Sequence, residues 1–425
     1  MRDGPRRVRV ALWVSFVVVH GVLTWLGVFV APVTAFADVD LYRWWMHLGL
    51  DWSTWPVLDG PWVYPAGAIV PMVLPGLVTT TSTAGYSFVW CLLVTSLNAA
   101  ATAALLGYGA THRSTAGAWW WLAHLALLGP VAIGRLDGVA APLMVLALVA
   151  AVRRPAVAAT LATIGAWVKV APAALLLPLV LATRRPLHRV VAPAAATCAV
   201  VAGLVAAGGG LANLTSFLGT QSARDLQSES VGATGWVLAR LWRDDVEIVL
   251  DPQIVTWEVT GPGTSVAPMV LDALMVLAVA ALAGLLWYLR QEGLARAALL
   301  PGTFALLVVL IVTNKVGSPQ FLAWLAAPVA VLLSRPQETP RHRRRVAAGT
   351  TLAAAALTQV VFPWGYERFL LGDAALSVVL AVRNVLLVAL LVLAVRWLIA
   401  LTTGRERVVE QPSATEHPAP EPASN

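Results

Sequence analysis

The chain has 425 residues, of which 59% are hydrophobic and only 12% are charged, and its mean hydropathy is +0.76. Soluble domains carry about 25% charged residues, so a water-soluble enzyme, a disordered chain and a DNA-binding domain are excluded as descriptions of the whole protein. The composition is that of a polytopic membrane protein. The two cysteines, Cys91 and Cys198, lie in apolar runs and form neither a disulfide framework nor a metal-ligand pattern.

The first apolar run covers residues 11–31 and follows an arginine-rich N-terminus. Roughly twenty apolar residues are enough to cross a bilayer as a helix. The sequence Ala35-Phe36-Ala37 is also typical of a signal-peptide cleavage site, but the run is long for the apolar core of a signal peptide. We therefore predict that the segment is retained as a spanning helix.

Further apolar runs follow along the chain, and we predict an all-α bundle of about twelve spans. Residues 66–78 are too short to span, since thirteen helical residues cover only about 20 Å, so we interpret them as re-entrant or interfacial. The predicted spans after the first are 85–108, 117–133, 138–152, 156–169, 171–183, 190–207, 266–288, 296–313, 320–334, 346–362 and 374–402.

The charges predict the orientation of these spans. Arginine clusters occupy alternate gaps, which by the positive-inside rule are cytoplasmic, and most acidic residues lie in the remaining gaps. Both termini are then predicted to be cytoplasmic in the plasma membrane, with two long extracytoplasmic loops at about 32–84 and 208–265. The transmembrane domain covers 1–403, and the proline-rich residues 404–425 are predicted to be a disordered tail.

Two carboxylates, Asp38 and Asp40, lie where the chain leaves the first span. On an extended segment a spacing of two places both on one face. Close like charges raise the pKa of one carboxyl, which suits a general base. The alternative is an acidic, solvated loop without a catalytic role.

Two other outside segments are polar. The block from Gln221 to Ser230 contains Arg224, which could hold a phosphate through two hydrogen bonds or form a weak surface pair with a neighbouring acid. The segment from Thr313 to Gln320 contains Lys315, which either binds an anion or extends toward the membrane surface.

Cations at the predicted outer face oppose the positive-inside trend. Arg135 and Lys169 lie at predicted helix ends, where they can pair with Asp137 or with an anionic ligand. A group of cations beside a carboxylate pair suits a lipid-phosphate leaving group. The tryptophans of the first loop indicate either an interfacial aromatic belt or sugar-stacking surfaces. The outside cations are Arg43, Arg135, Lys169, Arg224, Lys315 and Arg368.

Taken together, these segments resemble the GT-C superfamily of membrane glycosyltransferases, and in particular glycosyltransferase family 87, the actinobacterial mannosyltransferases that use polyprenyl-phosphate mannose. The segments that carry the resemblance are Val39-Asp40-Leu41-Tyr42, Tyr64-Pro65, Lys169 with Pro172, the block from Arg224 to Ser230, and Asn314 to Gln320.

The resemblance implies a first-loop aspartate as catalytic base, which is Asp40 by position, with Asp38 as the other candidate. It implies a polyprenyl-phosphate sugar as donor, a glycolipid acceptor and membrane lipids as surroundings. No cofactor-binding motif occurs in the sequence, and a His-based metal site and a nucleic-acid partner are not expected. Arg224 and Lys315 are the first candidates for binding the departing phosphate, followed by the other outside cations. Residues expected to bind the sugar or the acceptor are Tyr42, Tyr64, Gln227, Glu229 and Gln320.

Two other classes of protein fit much of this pattern. A lipid or sugar transporter would also have about twelve spans and intramembrane cations, but transporters commonly contain repeats and polar sites at the membrane midplane. No repeat is evident here, and the polar blocks gather at one predicted face. A subunit that binds a lipid-linked saccharide without catalysis is the third interpretation.

Overall fold

The computed structural model describes residues 3–107, 114–222, 224–252, 255–335 and 340–403, so the predicted tail at 404–425 lies outside the described residues. This part of the chain is mostly helical, with one small sheet. The elements are α1 (Asp3–Trp25), α2 (Ala37–Trp52), α3 (Ile69–Gly76), α4 (Thr83–Leu106), α5 (Ala116–Leu128), α6 (Asp137–Ala150), α7 (Pro155–Val168), α8 (Leu176–Ala182), α9 (Ala192–Ala207), α10 (Ser216–Ser222), α11 (Thr234–Ala239), β1 (Glu247–Asp251), β2 (Thr256–Thr260), α12 (Ala267–Gln291), α13 (Ala295–Val312), α14 (Leu322–Ser334), α15 (Arg341–Gln359), α16 (Tyr366–Leu370) and α17 (Ala374–Thr402).

Every apolar run predicted to span contains a helix. Seven helical segments among the described residues are long and apolar enough to cross a membrane, and several apolar helices are shorter. The shorter ones include Ala66–Gly76, the segment that we predicted to be re-entrant or interfacial. The chain thus has the composition and helix lengths of a membrane protein, while the number of twelve spans stays a prediction.

The core of the bundle is formed by helices that other helices surround. Helix α14 is buried along almost its whole length and packs on α5 and α6, while α13 packs on α12 and α17. Small residues permit this close approach. At Gly117 in α5, an added Cβ would collide with the carbonyl oxygen of Ala330 in α14. In contrast, only 11% of the most apolar 18-residue window is buried in each of the helical segments Leu187–Ala207 and Ala267–Gln291, as expected of surfaces that face lipid.

The first long loop is more regular than we expected, because it begins with helix α2. Asp38 and Asp40 lie in the first turn of this helix, where acidic side chains interact favourably with the helix dipole. Residues two apart on a helix are rotated by about 200° from each other. The prediction that both carboxylates share one face of an extended segment is therefore wrong.

The second long loop forms a small unit with its own apolar cluster. Strands β1 and β2 pair antiparallel, with Glu247 opposite Thr260 and Asp251 opposite Thr256. Apolar residues of this loop pack against apolar residues between positions 361 and 380. The buried members of the cluster are Leu226, Ala233, Val237, Val246, Val259, Val361, Phe369, Leu376 and Leu380.

Candidate functional site

Asp38 points toward the start of helix α6. Its carboxylate forms an ion pair with Arg135 Nη1, and the hydroxyl of Tyr42, one helical turn later, lies 3.5 Å from Asp38 Oδ2. The same hydroxyl accepts a hydrogen bond from the backbone N–H of Leu136 at 3.3 Å. The Asp38 side chain is 28% exposed, so it is anchored on its protein side and still reaches solvent.

Asp40 points elsewhere. Its Oδ1 accepts hydrogen bonds from Arg43 Nε at 2.8 Å and from Thr83 Oγ1 at 2.7 Å, and its side chain is 46% exposed. Partial burial raises the pKa of Asp40, but these two hydrogen bonds and the charge of Arg43 outweigh burial, and the net pKa is lowered. Arg43 also donates to the Thr80 carbonyl at 2.6 Å. The charge of Arg43 is thus paired with Asp40.

Arg135, Lys169 and Arg224 form a cluster of cations, which we call the cation cluster. The charges of Arg135, Arg224 and Asp137 all act on the Lys169 ammonium. Burial lowers the pKa of Arg224 and brings the pKa of Arg135 down to about 10. Burial that weakens the solvation of cations indicates a site that would be stabilised by an added anion.

Each cation lies at a break in the helical structure. Lys169 directly follows α7, and the chain then enters a 3-10 turn that contains Pro172. Arg135 lies in the turn before α6, and Arg224 follows α10. The Nε atoms of Arg135 and Arg224 are buried and have no hydrogen-bond partner within the described residues. These N–H groups are available to an anionic ligand.

Asp137 is the buried acid of this region. Its Oδ1 accepts a hydrogen bond of 2.6 Å from Trp324 Nε1, and its Oδ2 lies 3.9 Å from Lys169 Nζ. Oδ2 has no hydrogen-bond partner in the described part of the chain. Arg135 forms its ion pair with Asp38, and the charge of Asp137 acts on both Arg135 and Lys169.

Aromatic rings form one wall beside the cation cluster. The Lys169 ammonium lies 4.9 Å from the centre of the Tyr64 ring, and Tyr64 packs within 6.2 Å of Tyr42, Trp45 and Trp62. Trp62 is only 5% exposed. Trp44 and Trp52 are exposed and suit an interfacial belt. The exposed tryptophans thus suit the predicted aromatic belt, whereas a sugar-stacking role stays a prediction.

Glu229 is buried near Arg135. Burial is the main reason that the pKa of Glu229 rises to about 7, while Arg383, Tyr366 and Ser228 act in the opposite direction. Arg383 Nη2 also donates to the main-chain carbonyl of Glu229 at 3.0 Å. The charge of the Glu229 carboxylate raises the pKa of Arg135. A carboxyl group with a pKa near 7 can bind a sugar hydroxyl either as a donor or as an acceptor.

Gln227 joins the second loop to the segment around Lys315. Its backbone N–H donates to the Lys315 carbonyl at 3.0 Å, and its Oε1 accepts from the Gly317 N–H at 2.9 Å. A Cβ at Gly317 would collide with the backbone of Glu229 and Ser230, so glycine is required by this close approach. The side chain of Gln227 thus has a structural role.

The remaining predicted residues lie outside the cation cluster. Lys315 is buried, and its ammonium is 3.0 Å from Asp272 Oδ2. Arg368 is 74% exposed and pairs with Asp373. Gln320 lies, partly exposed, in the short 3-10 turn before α14. These three residues therefore have weaker structural support than Arg135, Lys169 and Arg224.

Two residues of the site come from within the last apolar run. Arg383 and Asn384 are buried in α17 and bind the main-chain carbonyls of Glu229 and Ser230. Neither residue was among the predicted site residues. A polar pair inside a 29-residue apolar helix is costly in a membrane, and this cost was the available signal.

The sequence model of glycosyltransferase family 87 matches residues 62–313, which is more than half of the chain. The chain belongs to glycosyltransferase family 87. No curated protein and no solved structure matches it. The matched range includes the whole cation cluster and Glu229, whereas Asp38 lies before it and Lys315 after it. Membership in this family favours a membrane glycosyltransferase over a transporter. Among the described residues, no group of three or more His, Cys, Asp or Glu side chains is arranged to hold a metal ion.

Proposed function

We propose that this family 87 protein is an inverting glycosyltransferase that moves a hexose, mannose by the resemblance, from a polyprenyl phosphate to a glycolipid or lipoglycan acceptor. The reaction takes place at the extracytoplasmic face of the plasma membrane. The observation that carries the proposal is the cation cluster beside Asp38: Arg135, Lys169 and Arg224 are nearby, buried to different degrees, and incompletely paired.

The cation cluster suits the phosphate of the donor. As the bond between the anomeric carbon and the phosphate oxygen breaks, negative charge grows on the phosphate. Donors that are already in place stabilise this charge without reorganising. The buried Nε–H groups of Arg135 and Arg224 and the ammonium of Lys169 supply such donors.

Asp38 suits the general base. It accepts the proton of the acceptor hydroxyl while the hydroxyl oxygen attacks the anomeric carbon on the side opposite the phosphate. One displacement converts a β-linked sugar phosphate into an α-glycoside, and the polyprenyl phosphate leaves with the electron pair of the broken bond. Arg135 contacts Asp38 directly and keeps the base next to the phosphate site.

Asp38 is preferred to Asp40 because of their different partners. Asp40 is bonded to Arg43 and Thr83, neither of which belongs to the cation cluster. Asp38 is held beside the cation cluster by Arg135 and Tyr42. Among the residues expected to bind sugar, Tyr64 has the strongest support because its ring faces the Lys169 ammonium.

The test is a transfer assay in membranes with labelled polyprenyl-phosphate mannose, in which labelled glycolipid is measured. Asp38→Asn should lower the transfer rate by about 10²–10⁴-fold, which is the usual contribution of a general base. Asp40→Asn is the matched control, because it makes the same change two residues away, and it should retain most activity.

Loss of transfer in Asp40→Asn with normal transfer in Asp38→Asn would move the base to Asp40. If the wild-type protein transferred sugar from no polyprenyl-phosphate donor at all, the proposed donor class would be wrong. Equal protein levels for the three chains, checked by immunoblot, make the rates comparable.

A further inference from the structure

A separate cavity of about 240 Å³ lies in the second long loop. We call it the loop pocket. Pockets for drug-sized ligands measure about 300–1,000 Å³, so the loop pocket suits a single small ring. It is distinct from the cation cluster, with which it shares no residue. Its lining residues are Gly235, Trp236, Ala239, Arg243, Val246 and Pro262.

Trp236 forms an aromatic wall in a fixed orientation. Its Nε1 donates a hydrogen bond of 2.9 Å to the Pro262 carbonyl, and its ring packs on the apolar cluster of the loop. The neighbouring Gly235 has open space where a side chain would lie. Because the indole N–H is already bonded, the ring offers a ligand mainly an apolar face, and the C–H face of a sugar ring packs well on such a surface.

Arg243 is the charged residue that lines the loop pocket, and it is paired with Asp245, which lies outside the lining. Arg243 Nε lies 2.8 Å from Asp245 Oδ1, and Arg243 Nη2 lies 2.6 Å from Asp245 Oδ2. Both side chains are about half exposed, at 48% and 53%. The pair is neutral as a unit, and its two hydrogen bonds do not use Arg243 Nη1. Arg243 can therefore donate to a hydroxyl group in the loop pocket without favouring an anion.

The loop pocket is attached to the segment that contains Glu229. Helix α11, which bears Trp236, begins four residues after Ser230. Asn384 Nδ2 binds both the Ser230 carbonyl at 3.2 Å and Thr234 Oγ1 at 2.7 Å. Arg240, at the end of α11, donates to the carbonyl of Phe369. A ligand in the loop pocket thus has a defined position relative to Glu229.

We propose that the loop pocket is a binding subsite for one neutral sugar residue of the acceptor glycan, away from the hydroxyl group that receives the transferred sugar. This inference rests on the proposed function, since it presumes an acceptor that already carries sugars. The combination of an aromatic wall, a self-neutralised charged pair and a volume suited to one ring favours a neutral saccharide over a phosphate or an anionic lipid headgroup.

The kinetic test compares two acceptors, a glycolipid with one sugar and a glycolipid with several. Trp236→Ala should raise KM for the longer acceptor by about 2- to 12-fold, the range expected for loss of an aromatic contact, with kcat unchanged. KM for the one-sugar acceptor should stay the same, and Trp236→Phe should recover part of the loss. Trp242→Ala is the matched control, because Trp242 lies on the same loop, is 72% exposed and does not line the loop pocket.

A binding test separates this proposal from the proposed function. Saturation-transfer NMR of a neutral oligomannoside with the full chain in nanodiscs should show contact that Trp236→Ala removes. If the wild-type protein showed this contact but no transferase activity, the proposed function would be refuted and the sugar subsite would still be supported. Equal KM for both acceptors in wild type and Trp236→Ala would overturn the subsite, as would displacement of the oligomannoside by inorganic phosphate.

Discussion

The burial of Glu229 predicts that the stability of the folded protein depends on pH. Its carboxyl group is buried and its pKa is raised to about 7 from an ordinary value of 4.5, with burial as the main cause. In the unfolded chain the same group ionises near 4.5. Between these two values the folded protein holds a proton that the unfolded chain has lost, so stability falls as pH rises through this window.

The size of this loss follows from the difference of 2.5 between the two pKa values (7 minus 4.5), which corresponds to about 3 kcal/mol. About 2 kcal/mol of it falls between roughly pH 5.5 and pH 8.5. Glu229→Gln removes the titrating group and keeps the shape of the side chain. The stability of this variant relative to wild type should therefore increase by about 2 kcal/mol between those pH values.

The measurement is thermal unfolding of both proteins in one detergent at about pH 5.5 and pH 8.5. For a chain of this length the relative shift in midpoint temperature is on the order of 2 °C in favour of Glu229→Gln at the higher pH. Glu247→Gln makes the same change at an exposed position of β1 and should show no such shift. A difference between wild type and Glu229→Gln that is the same at both pH values would refute the reasoning.

Two further predictions concern the site and its support. Arg224→Gln should raise KM for the polyprenyl-phosphate donor by about 10- to 100-fold in the transfer assay, because a charge-assisted hydrogen bond contributes about 1.5–3 kcal/mol; an unchanged KM would remove Arg224 from the phosphate site. Gly317→Ala should lower the unfolding midpoint, because its Cβ would collide with the backbone of Glu229 and Ser230. Gly203→Ala, where an added Cβ meets nothing within 4 Å, is its control and should leave the midpoint unchanged or raise it. An equal midpoint for Gly317→Ala and wild type would show that the two loops do not need this close approach.

The positions of the helices could be predicted because length and hydropathy are local properties. The run predicted at 374–402 coincides with α17, and the run at 266–288 lies within α12 except for its first residue. The same local pattern did not reveal that the first long loop starts with a helix. Val39 and Tyr42 in α2 are buried by contacts with distant parts of the chain, and such tertiary contacts leave no periodic signal in a short segment.

The choice between Asp38 and Asp40 shows the limit of the sequence more sharply. Both are aspartates in one helical turn, and sequence position alone favoured Asp40. Their difference lies in partners that are remote in sequence, since Arg135 is about a hundred residues from Asp38 and Thr83 is more than forty from Asp40. The members of the cation cluster could be named from the sequence as cations, but the sequence did not show which of them lie close together. Lys315 was placed with Arg224, whereas its ammonium instead pairs with Asp272.

The location of the cations explains how a membrane protein can keep them only partly paired. A charge within an apolar helix is costly, but Lys169 directly follows the last residue of α7, where the carbonyl end of the helix dipole stabilises a positive charge. Asp137 lies in the first turn of α6, where the opposite end of a dipole stabilises a negative charge. Helix ends thus stabilise the charges of both Lys169 and Asp137, whose charged atoms lie 3.9 Å apart. Because this stabilisation comes from backbone dipoles, it leaves the N–H groups of the Lys169 ammonium able to bind an anion.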